Sequence, residues 1–218
     1  AIPLAFFVSR ELGIRKSSLL FSFFICTNIY LINYSQEVRP YSLLFLISFL
    51  SIFLFLKVIN EHDNKKKFFV FCFLLLSVNI LGFSTDPFFL IIIVSEIFHC
   101  LIKIFLGESK FTKIFFITLL SLIFSLLIQY DFLLSLSIDE ETFWIQSSDY
   151  LNLNFFTDFF FRKFFGSKIM GAIYFLTLVS LIFMFRKKII FSSQYLIFLY
   201  IIFFSYFIPI FYGLIKTP

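Results

Sequence analysis

The chain has 218 residues, of which 61% are hydrophobic and only 14% are charged, with a net charge of +5 and a mean hydropathy of +1.01. This composition excludes a water-soluble globular domain, because too few polar residues remain to cover the apolar surface. It also excludes a disordered chain and a secreted disulfide scaffold. The class that remains is a polytopic membrane protein. Its spans are expected to be helices, because lipid requires backbone polar groups to pair within each segment.

Seven apolar segments are long enough to cross a bilayer, which takes about 20 mostly apolar residues in a helix. The predicted spans are residues 18–34, 40–58, 68–84, 87–105, 114–130, 169–185 and 191–213. An apolar stretch before them resembles the end of an earlier span, and the first residue is Ala1 rather than Met. We therefore expect residues 1–218 to form one all-α membrane domain, an internal fragment of a longer transmembrane region.

Lys and Arg predict which side of the membrane each connection faces, because cytoplasmic connections are enriched in both residues. Thirteen of the 18 fall on one side and five on the other, and the assignment alternates across all seven spans. The five on the predicted external side are Arg39, Arg162, Lys163, Lys168 and Lys216. These clusters between apolar runs are typical of membrane loops, so we expect a multi-pass protein of the inner (plasma) membrane and no nucleic-acid partner.

The segment 34–42, on the predicted external side, concentrates an acid, a base, an amide and two tyrosines at the membrane interface. Pro40 suits the first turn of the next helix, which places Arg39 beside a helix N-terminus that favours an anion. A guanidinium in that position suits a phosphate group. An equally weighted interpretation is that Glu37 and Arg39 pair with each other and that the tyrosines are ordinary interfacial residues.

The run from Tyr34 to Leu44 resembles the "SQEARxYSLL" segment of bacterial GT-C glycosyltransferases. These are integral-membrane enzymes such as the dolichyl-phosphate-mannose protein mannosyltransferases and the lipopolysaccharide-modifying sugar transferases. Weaker similarities extend over most of the chain. They comprise Gly13-Ile14-Arg15, Thr85-Asp86, Phe143-Trp144-Ile145 with Phe165-Gly166, and the final residues Ile215 to Pro218.

The resemblance implies that a sugar passes from a polyprenyl-phosphate donor to a lipid, glycan or protein acceptor on the external face. The alternative is a transporter or flippase for a lipid-linked glycan. In the family, an acid in the first external loop is the general base. That loop would precede Ala1, so the catalytic residue is not expected in this chain. No cofactor is implied with any specificity, and dependence on a divalent metal is left open.

The same resemblance assigns roles to residues at the external interface. Arg39 would hold the donor phosphate, whose developing charge needs a fixed cation. Glu37 would orient Arg39 or a sugar hydroxyl. Asp86 stands where many family members have His. Tyr34, Gln36 and Tyr41 would line the donor pocket, and Asp86 and Trp144 are further candidates for the pocket.

The external loop 131–168 carries six acids and an amphipathic stretch, 151–163, that is typical of a helix lying in the membrane interface. Such a helix would either roof a cavity for a lipid tail or simply fill the interface. Trp144, in the same loop, would either stack on a sugar or anchor the loop among the lipid headgroups.

Glu96 lies near the middle of its predicted span, with His99 and Lys103 on the same helical face. Ionisable groups at this depth are functional candidates, and Glu-x-x-His spacing also occurs in di-metal bundles. Those bundles need more carboxylates and a second His, whereas the other His of this chain is in a charged loop. The favoured interpretation is a buried polar stripe that pairs with a neighbouring helix near Asn79.

Overall fold

A computed structural model describes residues 2–12, 18–27, 41–130, 134, 167–169, 171–173, 175–176, 179–180 and 196–205. Within these residues the regular structure is helical throughout, without a strand, so the all-α prediction is confirmed for this part of the chain. The helices are α1 (Ile2–Glu11), α2 (Ser18–Thr27), α3 (Tyr41–Asn60), α4 (Lys65–Thr85), a 3-10 turn (Pro87–Phe89), α5 (Leu90–Phe105), α6 (Lys110–Ile128) and α7 (Leu196–Ser205).

Four of these helices are long and apolar enough to cross a membrane: α3, α4, α5 together with the 3-10 turn before it, and α6. At 1.5 Å per residue, each covers about the 30 Å of a hydrocarbon core. They match four predicted spans, and the chain is membrane-embedded. The other three predicted spans are described only in part or in scattered residues, so the total of seven stays a prediction.

The four long helices are joined by very short connections: residues 61–64, Asp86 and residues 106–109. Consecutive helices must therefore run antiparallel. Asn64 caps α4 by accepting a 3.3 Å hydrogen bond from the Lys67 backbone N–H. Gly107, with φ of +87°, reverses the chain after α5 in a backbone conformation that favours glycine.

The lysines of the four long helices lie at one end of this bundle. They lie in the last turns of α3 and α5 and the first turns of α4 and α6: Lys57, Lys65, Lys66, Lys67, Lys103, Lys110 and Lys113. The C-terminus of α1 lies at the same end, because Glu11 forms a 2.8 Å ion pair with Lys57 and accepts a 3.1 Å hydrogen bond from Asn60. The opposite end holds Tyr41, Asp86 and Gln129. The bundle therefore has the charge asymmetry that orients membrane proteins.

Packing follows the order α3–α4–α6–α5, and α3 also contacts α5 and α6. The N-terminal helices pack against each other, and α1 packs against α3. Ile197 of α7 is buried in the same core, and the Tyr200 ring meets Phe98 of α5 at 5.1 Å. Large apolar side chains such as Phe69 and Phe105 point outward, as expected for a surface in contact with lipid.

Candidate functional site

Most of the predicted donor site lies outside the described residues. This applies to Tyr34, Gln36, Glu37, Arg39 and Trp144, whose predicted roles therefore stay predictions. The structure places the remaining two candidates, Tyr41 and Asp86.

Tyr41 is the first residue of α3, and Asp86 forms the turn between α4 and the 3-10 helix. Both are at the end of the bundle opposite the lysines. The Asp86 carboxylate accepts a 2.8 Å hydrogen bond from the Phe88 N–H, and its own N–H donates to the Gly82 carbonyl at 3.1 Å. The Asp86 side chain is partly exposed and works as a helix cap.

The structure brings together a different set of polar residues in the interior. Ser51 of α3, Asn79 of α4, Glu96 of α5 and Ser121 of α6 are each at most 1% exposed. The Asn79 amide donates to Glu96 Oε2 at 2.8 Å, and Ser51 Oγ lies 2.8 Å from Glu96 Oε1 and 2.6 Å from Asn79 Oδ1. Each of the four long helices contributes one of these residues. We call the four the midplane cluster, after their position along the helices.

The cluster lies near the middle of the membrane-spanning helices. Ser51 and Glu96 are nine residues from both ends of the spans Ser42–Asn60 and Pro87–Phe105, which is about 13 Å along a helix. Asn79 and Ser121 are somewhat nearer the end that holds Asp86. Water is scarce in the middle of a membrane span, so polar side chains there need hydrogen-bond partners within the protein.

Ser121 joins the cluster more loosely. Its hydroxyl donates to the Thr118 carbonyl at 2.7 Å and accepts a long contact of 3.4 Å from the Asn79 amide. The three short contacts therefore belong to Ser51, Asn79 and Glu96, which we call the inner cluster.

A polar stripe continues from Glu96 along α5 towards the lysine-rich end. His99, one turn on, is buried between the rings of Phe55, Phe111 and Tyr200, with centroids 5.7, 5.7 and 5.9 Å away. Lys103 is also buried, and its Nζ forms a 2.7 Å ion pair with Glu108 in the connection between α5 and α6.

The predicted polar stripe is confirmed, including the contact between Glu96 and Asn79. Sequence reasoning missed Ser51 and Ser121. The available signal was their position, since each lies deep within an otherwise apolar span, but Ser is common there because it can bond to its own helix. Among the residues described, no group of three or more His, Cys, Asp or Glu is placed to hold a metal ion.

In comparisons with known proteins, the chain matches no protein-family model, no curated protein and no solved structure. Its class rests on its own residues: it is a membrane-embedded helical protein with a polar cluster at the centre of four antiparallel helices.

Proposed function

We propose that this chain is the donor-binding part of a GT-C-type membrane glycosyltransferase. The enzyme would move a sugar from a polyprenyl-phosphate carrier to a lipid, glycan or protein acceptor on the external face of the inner (plasma) membrane. The chain would form a bundle of seven spans. The observation that carries the proposal is the run from Tyr34 to Leu44, whose last four residues form the first turn of a membrane helix that begins at Tyr41.

The start of α3 supports the proposed position of the donor site. Tyr41 is at the end of the bundle away from the lysines, and this is the external end if the positive-inside rule holds. The first turn of α3 contains no acidic residue that would repel an anion from its N-terminus. Arg39 stands two residues before this helix in the sequence, and in the proposal its guanidinium joins the helix N-terminus in binding the donor phosphate.

The proposed chemistry is direct displacement at the anomeric carbon with inversion. The acceptor oxygen forms a bond to that carbon while the bond to the carrier phosphate breaks. The phosphate leaves with the bonding electrons, and the Arg39 guanidinium stabilises the charge that develops on it. Glu37 orients Arg39 or a sugar hydroxyl. The base that takes the acceptor proton is expected outside this chain.

Replacement of Arg39 in the full-length protein tests the proposal. Arg39→Ala should abolish transfer of a labelled sugar from polyprenyl phosphate in isolated membranes, and Arg39→Lys should keep only a small fraction, because Lys lacks the bidentate fork. Arg162→Ala, which removes another arginine of the predicted external side, should transfer normally. Insertion of each variant is checked by quantifying the protein in washed membranes. Wild-type transfer by Arg39→Ala would overturn the donor-phosphate role.

The second candidate is a transporter or flippase for a lipid-linked glycan, and the observation that favours it is the polar cluster at the midplane. Transporter sites commonly use broken helices at this depth, whereas α5 runs as one helix from Leu90 to Phe105. Reconstituted protein distinguishes the two activities. A transporter would move a fluorescent lipid-linked glycan between leaflets without breaking its phosphate–sugar bond, and a transferase would consume that bond.

A further inference from the structure

The three short contacts of the inner cluster form a closed cycle. Ser51 Oγ contacts Asn79 Oδ1, the Asn79 amide nitrogen contacts one oxygen of Glu96, and the other oxygen of Glu96 returns to Ser51 Oγ. The distances are 2.6, 2.8 and 2.8 Å, all within the range of good hydrogen bonds. Each contact therefore needs one hydrogen between its two heavy atoms.

Counting the hydrogens shows where the third must come from. The Ser51 hydroxyl supplies one, and the Asn79 NH2 group supplies one to Glu96, whereas the Asn79 carbonyl oxygen supplies none. With Ser51 donating to Asn79, its oxygen can only accept from Glu96. Turning the Asn79 amide over reverses the direction of the cycle and leaves the count unchanged. In either direction, the remaining hydrogen has to be carried by the Glu96 carboxyl group.

The surroundings of Glu96 lead to the same result independently. Its carboxyl is buried in the middle of the membrane span, and it takes part in none of the ion pairs formed by the described residues. An unpaired carboxylate in such a place loses its hydration without electrostatic compensation, which is costly. A neutral carboxylic acid avoids this cost and also provides the missing donor.

Among the described residues, the lysines of α3 and α5 have other partners and do not supply a counter-charge to Glu96. Lys103, seven residues along α5, is about 10 Å further along the helix and is already paired with Glu108. Lys57 of α3 is paired with Glu11. In the part of the chain that the structure describes, the other titratable groups that face this core are His99 and Cys100 of α5, Cys72 of α4, Tyr200 of α7 and, at the lysine-rich end, Lys110 of α6.

We propose that Glu96 is a proton-binding site at the membrane midplane, held as a neutral carboxylic acid that donates its hydrogen to Ser51 and accepts from Asn79. The bound proton completes the cycle that connects α3, α4 and α5. Release of that proton would leave one contact of the cycle without a hydrogen and would place an unpaired charge in the bundle. The inference does not depend on the glycosyltransferase proposal, because it uses none of the residues of the donor site.

Infrared spectroscopy of the full-length protein in lipid bilayers at neutral pH tests the proposal directly. The difference spectrum between wild type and Glu96→Gln should contain the carbonyl stretch of a protonated carboxylic acid, lost in the variant. Glu108→Gln is the matched control, and it should remove carboxylate stretches alone because Glu108 is paired with Lys103. A Glu96→Gln difference that contains only carboxylate stretches would overturn the proposal.

A second variant keeps the acid and changes its partner. Ser51→Ala removes the acceptor of the Glu96 hydrogen. The carboxylic acid then has fewer hydrogen bonds, so its carbonyl stretch should shift to higher frequency. If Glu96→Gln fails to insert, this shift decides the question, and an unshifted band or its absence from the wild type counts against the cycle. Carboxylate bands that appear together with stabilisation by Na⁺ would instead assign the site to a monovalent cation.

Stability at raised pH provides a further readout. Because the proton completes the cycle, the wild-type melting temperature should fall at high pH by several degrees more than that of Glu96→Gln, whose amide donates and accepts without titrating. Equal falls for the two proteins would contradict a structural role for the proton.

Discussion

The ring of Phe89 lies so closely against Gly82 that a Cβ at position 82 would come within 2.5 Å of the ring atoms Cε2 and Cζ. Gly82 is in the last turns of α4, and Phe89 ends the 3-10 turn that leads into α5. The contact therefore fixes how the chain passes from one membrane helix to the next, together with the cap formed by Asp86.

Replacement of this glycine is expected to destabilise the bundle. Gly82→Ala forces the buried Phe89 ring to move, which should cost about 1–3 kcal/mol. The measurement is the unfolding of the purified protein in detergent. Leu81→Ala, on the exposed neighbour in the same helix, should change stability far less. Equal effects of the two substitutions would show that the close contact does not constrain the turn.

Loss of the Asn79 amide should weaken the contact between α4 and α5. Asn79→Ala removes the donor to Glu96 and the acceptor for Ser51, which leaves buried polar groups unsatisfied at a cost of about 1–3 kcal/mol. Ser77→Ala is the matched control, because its hydroxyl bonds to the Phe73 carbonyl of its own helix and takes no part in the cycle. Both variants are compared by thermal unfolding in the same detergent.

A double substitution tests whether these residues act as a unit. Asn79→Ala combined with Ser51→Ala should destabilise by less than the two single changes together, since both break the same cycle. Strict additivity of the two free-energy changes would contradict a shared hydrogen-bond network.

The ion pair between Lys103 and Glu108 is expected to contribute measurably because Lys103 is mostly buried. A double-mutant cycle with Lys103→Met and Glu108→Gln should give a coupling of about 1 kcal/mol, limited by the partial exposure of Glu108. The pair Lys67–Glu61, at 3.4 Å and more exposed, should give less coupling and lose it sooner as salt is added. A larger coupling for the exposed pair would contradict the role of burial.

The arrangement of the lysines predicts the topology of the four described spans. In full-length protein truncated and fused to reporters, green fluorescent protein should fluoresce when attached after Asp63 or Glu108. Alkaline phosphatase should be active when attached after Asp86 or Tyr130. This pattern is expected because lysine-rich ends of membrane helices are retained on the cytoplasmic side. The reverse pattern would place Arg39 on the cytoplasmic side and exclude an external donor site.

The sequence predicted the four long helices well, because their apolar runs are long and most of the charged residues lie near their ends or in their connections. The pairing of Glu96 with Asn79 was also predictable, since a carboxyl group at that depth needs a partner and few polar residues are available. The participation of Ser51 was not, because a serine within a helix can bond to its own backbone, as Ser48 does with the Leu44 carbonyl. Whether a serine bonds to its own helix or to a neighbouring one depends on how its helix is rotated against its neighbours.

The exact ends of the helices at the short connections were harder to predict from the sequence. The predicted span 68–84 omits the three lysines that form the first turn of α4, where Asn64 caps the helix. Lysines at a helix end can extend their charged groups into the interface, so hydropathy places the helix start too late. The donor-site prediction rests on motif similarity around Arg39, and the Arg39→Ala assay is its test.

The short connections have a consequence for biogenesis. Ser51, Asn79 and Glu96 all precede α6 in the chain, and Asn79 and Glu96 are separated by 17 residues across a single tight turn. The hydrogen-bonded ring can therefore close while the ribosome is still synthesising the residues that follow. The translocon would then release α3, α4 and α5 together, with their polar groups already bonded to one another before α6 is inserted.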